Sequence, residues 1–116
     1  MKKQGKVWGY TQEIISNSNF EVHRIEAKKG THCSLHKHDH KFNGFYIEKG
    51  KMKITTDEID YDLVDETIVE TGDFTIVKPQ NYHRFEALED TICYEIYWVE
   101  LKTDDIVRKD NGGISD

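Results

Sequence analysis

Between Gly30 and Gly50 the chain sets His32, His36, His38 and His40 within nine residues. His36 and His38 are two residues apart, and two is the period of a β-strand, whose alternate side chains leave the same face. Two imidazoles on one face of an extended segment are half of a metal site. His83 lies far along the chain, in the stretch that opens at Gly72-Asp73 and closes at His83-Arg84-Phe85. The reading requires folding to bring His83 beside His36 and His38.

The rest of the sequence agrees with strands. Val, Ile, Thr, Tyr and Phe are frequent, glycines are scattered and there is one proline, the composition of pleated, half-buried segments. Short strands are expected at 7–10, 12–15, 20–27, 32–39, 43–48, 51–56, 67–70, 74–77, 83–87 and 91–100. Polar turns at 16–19, 49–50 and 89–90 separate them. The alternation over 20–27 is imperfect, and the acidic run 57–66 reads as an exposed hairpin or loop. Some nine to eleven short strands without a convincing helix mean an all-β sandwich or barrel.

A chain of 116 residues has room for one core, expected over residues 1–102, with a polar tail at 103–116. No apolar run approaches the ~20 residues that span a bilayer, and the start leads into no signal-peptide core. A cytoplasmic location and no membrane partner are therefore expected. A net charge of −6 argues against nucleic acid, which calls for a basic stripe. Cys33 and Cys93 are read as buried thiols in a reducing compartment.

At this point the residues resemble a known pattern, that of the cupins, small jelly-roll barrels also described as double-stranded β-helices. Their first motif, G-x5-H-x-H-x(3,4)-E-x6-G, falls in register with Gly30, His36, His38, Asn43 and Gly50, and occupies residues 30–50. The second, from Gly-Asp to a histidine, is matched by Gly72-Asp73 and His83 within residues 72–87. Asn43 replaces the motif glutamate, and Gln80 replaces the usual turn glycine. Within the cupins, the run Ser34, His36, His38, His40, Lys41 and Asn43, with His83-Arg84 and the tail Asp104-Asp105-Ile106-Val107-Arg108, resembles the C-terminal isomerase domain of two-domain mannose-6-phosphate isomerase/mannose-1-phosphate guanylyltransferase enzymes. The nucleotidyltransferase domain of those enzymes has no counterpart here. The resemblance implies a divalent transition metal (Zn, Fe, Mn, Ni or Co) on His36, His38 and His83, and a homodimer. Trp8, Tyr10 and the aromatic final strand could supply its surface.

Asn43 is then either a fourth ligand, a holder of water or a group that orients His38. Three imidazoles and an amide leave an ion its full +2 charge, which strengthens it as a Lewis acid for anionic ligands and weakens its retention. His40 is expected at the rim, contacting substrate or taking part in proton transfer, with a fourth-ligand role as the alternative. Lys41 and Arg84 are candidate anion holders, and Tyr46 and Tyr97 candidate substrate contacts. One parity class of 91–97 must face the interior. If it holds Glu95, the cavity has a carboxylate suited to general-base work; if it holds Ile92, Tyr94 and Ile96, the cavity is apolar. Three functions follow: an isomerase or epimerase of a sugar or sugar phosphate, a three-histidine Fe(II) oxygenase of the thiol-dioxygenase kind, or a non-catalytic binder of a small ligand.

Overall fold

The structure, a computed structural model, describes residues 3–58, 63–99 and 107–115. Within them the chain forms nine strands: β1 (Lys3–Lys6), β2 (Gly9–Ser16), β3 (Phe20–Ala27), β4 (Phe42–Lys49), β5 (Lys51–Glu58), β6 (Leu63–Glu70), β7 (Phe74–Val77), β8 (Tyr82–Ala87) and β9 (Thr91–Trp98). The described residues contain no helix. All pairings are antiparallel, in a six-stranded sheet of order β1-β2-β3-β9-β4-β7 and a three-stranded sheet of order β6-β5-β8. The all-β jelly-roll expectation holds.

The two sheets face each other, and register fixes what each presents. Across the large sheet, Ile25, Cys93 and Ile47 lie in one row, and His23, Glu95 and Phe45 in the next. All six therefore share the inner face. The small sheet supplies Met52, Ile54, Val69, Phe85 and Ala87, all buried. Trp8, expected at a core or an interface, is in the core and meets Phe85 edge-on at 4.9 Å. Each fully buried large apolar side chain contributes about 1.5–3 kcal/mol. The inner face is thus dry at the Ile25–Cys93–Ile47 end and polar at the Glu21–His23–Glu95–Tyr97 end.

Two local expectations need correction. Residues 32–39 do not form a regular strand. They run beside β8, with isolated bridges at His32–Glu86 and His36–His83, and the Phe85 amide is bonded to Cys33 Sγ rather than to a carbonyl. The acidic run 57–66, expected as an exposed hairpin or loop, contributes its ends to β5 and β6, which pair with each other; residues 59–62 lie outside the described ones. β1, at 3–6, was not anticipated, and Val7-Trp8 is the turn into β2 rather than strand. The tail match at 104–106 lies outside the described residues; Val107 is fully exposed.

Gly50 shows why the β4–β5 turn is glycine. Its φ is +110°, and a Cβ there would lie 2.5 Å from the Asp90 carbonyl oxygen. Gln80 occupies the left-handed region without being glycine, at φ 75°. Its backbone N–H donates to the His38 carbonyl at 2.7 Å and its side-chain amide to the Asp39 carbonyl at 2.8 Å. These two bonds offset the strain, of order 1 kcal/mol, and pin the histidine segment to the turn before β8.

Candidate metal centre

The convergence of His83 with His36 is enforced by backbone. His36 N donates to the His83 carbonyl at 3.1 Å and His83 N donates back at 2.7 Å, an antiparallel bridge that puts the two side chains side by side. His38 lies two residues on, beside the turn held by Gln80. Ring centroids are 4.6 Å apart for His36–His83, 5.2 Å for His36–His38 and 5.5 Å for His38–His83. One nitrogen from each ring lies within 4.8 Å of the other two.

The hydrogen bonds choose the nitrogens. His36 Nδ1 donates to the Ser34 carbonyl at 2.9 Å, and His83 Nδ1 to the Asn81 carbonyl at 3.0 Å. Both Nε2 atoms are thereby left with lone pairs, the tautomer a ligand needs. His38 Nε2 is buried without a partner among the described residues. Burial, reinforced by the neighbouring imidazoles, pulls His38 down to about 4, and burial likewise lowers His83. His38 and His83 are therefore neutral at pH 7, as metal binding requires.

Asn43 adds a further signal. It is 1% exposed and its Oδ1 lies 3.0 Å from His83 Nε2. A neutral imidazole has one proton, and His83 has committed it to Asn81. Two lone pairs thus face each other across that gap, an arrangement relieved by a cation held by both. An orphaned buried nitrogen, three converging imidazoles and a facing amide oxygen fit a divalent transition ion.

Beside His36 a cavity of about 580 Å³ opens between the sheets, lined also by His23, His32, Cys33, Arg84, Glu95 and Tyr97. β9 therefore turns Thr91, Cys93 and Glu95 inward, the polar alternative of the two parities. Tyr97 donates its hydroxyl to Glu95, and its ring lies 5.0 Å from that of His38. Burial raises the Glu95 carboxyl, against the lowering effect of Tyr97, and also pushes the Tyr97 phenol up. Tyr97 therefore stays protonated as the donor.

The remaining candidates are scattered. Arg84 lines the cavity and donates through Nε to the Cys33 carbonyl at 3.0 Å. Lys41 is bound to Glu21 at 2.6 Å, which holds that carboxyl below its usual range, so its charge is already matched. His40 is exposed and does not line the cavity. Tyr46, 41% exposed, lies on the outer face, because Asn43 and Phe45 point inward and an even step from either cannot reach it. Tyr10 bonds Arg24 rather than approaching the site.

Sequence reasoning took Ser34 and Gln80 only as motif positions and His23 as an ordinary polar position. His23 sits opposite Glu95 in the β3–β9 register and is bonded to Glu21 at 3.3 Å; with Glu13 and Glu21 it forms a second close group. A lone histidine on an imperfectly alternating strand carried no signal of this. The motif position of Gln80, where the family has glycine, was the available hint for that residue.

Comparison with known proteins agrees with this architecture. The Cupin domain family matches residues 23–100. No curated protein sequence matches the chain. Among solved structures, KdgF from Halomonas sp. is similar with a TM-score of 0.72 at 13% identity, over 87% of this chain and 90% of that one. CapF, a capsular polysaccharide assembling protein from Staphylococcus aureus, gives 0.72 at 23% identity, over 90% of this chain and 30% of CapF. Oxalate decarboxylase from Bacillus subtilis, described for its Mn(II) centres, gives 0.76 at 17% identity, over 90% of this chain and 29% of that one. At these identities the structural likeness speaks for the fold alone, while the family match spans most of the chain. The protein belongs to the cupin family.

Proposed function

We propose that this cupin binds a divalent transition metal through His36, His38 and His83, with Asn43 as the fourth protein ligand. In the same reading, its cavity takes a small carbohydrate or anionic ligand for proton transfer of the isomerase or epimerase kind. The observation that carries the reading is the buried, unpartnered Nε2 of His38 within a cluster of three imidazoles, beside a cavity that contains a buried carboxyl. When bound, the ion polarises a carbonyl and its neighbouring hydroxyl. Glu95, whose carboxyl is raised by burial, takes the proton from one carbon and returns it to the adjacent one. Tyr97 holds that carboxyl in place, and Arg84 at the cavity wall takes the phosphate or carboxylate of the ligand. His40, being exposed, leaves the base role to Glu95.

The likeness to the mannose-6-phosphate isomerase domain gives this a specific form. Metal-loaded protein with mannose 6-phosphate in deuterated water is expected to yield fructose 6-phosphate, with deuterium at the exchanging carbon by NMR. Absence of product removes that substrate. The three-histidine donor set also suits an Fe(II) oxygenase. Oxygen uptake with cysteine by anaerobically iron-loaded protein would favour that reading, although Cys93 is sealed in the dry core and offers it nothing. A non-catalytic binder would show ligand-dependent thermal stabilisation without turnover.

The homodimer fits the outer face of the large sheet. Phe20, Tyr46, Phe74 and Ile76 are 37–49% exposed there, beside the stacked Phe42–Trp98 pair. Trp8, being in the core, plays no part. Light scattering on the wild type and on Phe74→Glu tests this, with a monomeric variant expected.

A further inference from the structure

Asn43 stands where the family motif has glutamate, and its amide is turned one way. Oδ1 faces His83 Nε2 at 3.0 Å, and Nδ2 donates to the Gly44 carbonyl at 3.3 Å. Burial raises the Glu95 carboxyl, and the Asn43 amide is among the groups that lower it. Register explains the contact. Asn43 pairs with Tyr97 and Phe45 with Glu95 across β4 and β9, so Glu95 is the diagonal same-face neighbour of Asn43.

A primary amide has donors only on nitrogen. Turned by half a rotation, Asn43 would set its oxygen against the Gly44 carbonyl and the Glu95 carboxyl, acceptor against acceptor. The long contact to Gly44 is a weak restraint. Glu95, 8% exposed and held from its other side by the Tyr97 hydroxyl, is the stronger one, because electrostatic interactions gain strength away from water.

We infer that Glu95 is a positioning residue of the metal centre: it keeps the Asn43 amide oxygen turned toward the histidines and supplies, one side chain removed, the negative charge that position 43 lacks. The motif carboxylate has been relocated from β4 to β9, with the amide as relay, much as a carboxylate behind a ligating histidine orients it. This rests on the cation reading of the centre.

The experiment is a charge exchange. Chelator-stripped wild type, Glu95→Gln and the double variant Asn43→Asp/Glu95→Gln are titrated with Mn(II), read by electron paramagnetic resonance, and with Zn(II), read by competition with a chromophoric chelator. Both substitutions keep side-chain volume, and thermal melts of the metal-free proteins check folding. Glu95→Gln is expected to weaken both ions by about 10–100-fold. The double variant, with the carboxylate back at position 43 and an amide behind it, is expected to recover to within about threefold of wild type. Wild-type affinity in Glu95→Gln overturns the inference, and so does a double variant as weak as the single one. A wild type that binds neither ion removes the cation reading itself and this inference with it.

Discussion

Metal-free protein is expected to lose stability as pH falls below neutrality, with His38 as a principal cause. The burial that orphans its Nε2 also moves the ring from 6.5 to about 4. Between those values the unfolded chain binds a proton that the folded one refuses. The sign follows: stability is full above about pH 6.5 and is lost as pH falls toward the folded value. A shift of about 2.5 units corresponds to an upper bound of roughly 3.4 kcal/mol at 1.36 kcal/mol per unit. The ring is only partly enclosed, so solvent screening reduces this, and about 1–1.5 kcal/mol is expected between about pH 7 and pH 4.5. For a domain of this size that is a fall in melting temperature of roughly 4–10 °C. His83 titrates in the same direction, so wild type must be compared with His38→Gln, which retains His83 and loses only the ring in question. Urea denaturation of chelator-stripped protein at several pH values gives both curves. Parallel curves would refute the argument, since the orphaned ring would then be solvated after all.

Zn(II) at about 100 times its dissociation constant is expected to stabilise wild type by about 2.7 kcal/mol; thermal melts should show no such gain in His36→Ala or His83→Ala. Gly44→Ala is expected to destabilise by about 1–3 kcal/mol, because the new methyl would lie 2.6 Å from the Phe74 ring and 2.9 Å from Trp98. Adding Phe74→Leu should restore most of that in denaturant melts. Burial pushes the Cys33 thiol up to about 11 and the Cys93 thiol further still, so a chromogenic disulfide reagent at about pH 8 should label neither thiol until urea is added. A rapidly labelled thiol in folded protein would contradict the placement of both.

Much of the strand pattern was legible because its signals are local. The Lys49-Gly50 and 88–90 turns mark where strands end, but neither closes the hairpin that its local signal suggests: β5 and β8 pair with each other in the small sheet, and β4 and β9 with each other in the large one. The imperfect alternation of 20–27 has a physical cause that only the register reveals. The inner face of β3 is polar at Glu21 and His23, where it meets the cavity, and apolar at Ile25 and Ala27, where it meets the core. A strand that crosses that boundary cannot read as cleanly amphipathic. The segment 32–39 misled for a related reason: it has period-two histidines but only β8 to bond with, so it supports two isolated bridges rather than a ladder. The outward turn of Tyr46 was available from parity, since an inward Asn43 three residues earlier requires it. The meeting of His36 with His83 was not available from spacing, because it depends on a backbone bridge between residues 47 positions apart; only the family pattern pointed to it.

The centre draws on both layers, and that arrangement links binding to the fold. His83 belongs to the small sheet and His36 and His38 to the segment bonded along its edge, whereas Asn43 and Glu95 belong to the large sheet. A cation held by these groups would therefore tie the two sheets together at their polar end, where few apolar contacts do so. The dry end around Ile25, Ile47, Met52 and Phe85 needs no such link. Nothing in an unfolded chain keeps residues 36, 43 and 83 together, so the ion favours the folded state alone. The polar cluster that weakens this end of the core in the absence of metal is, on the same logic, the feature through which metal strengthens it.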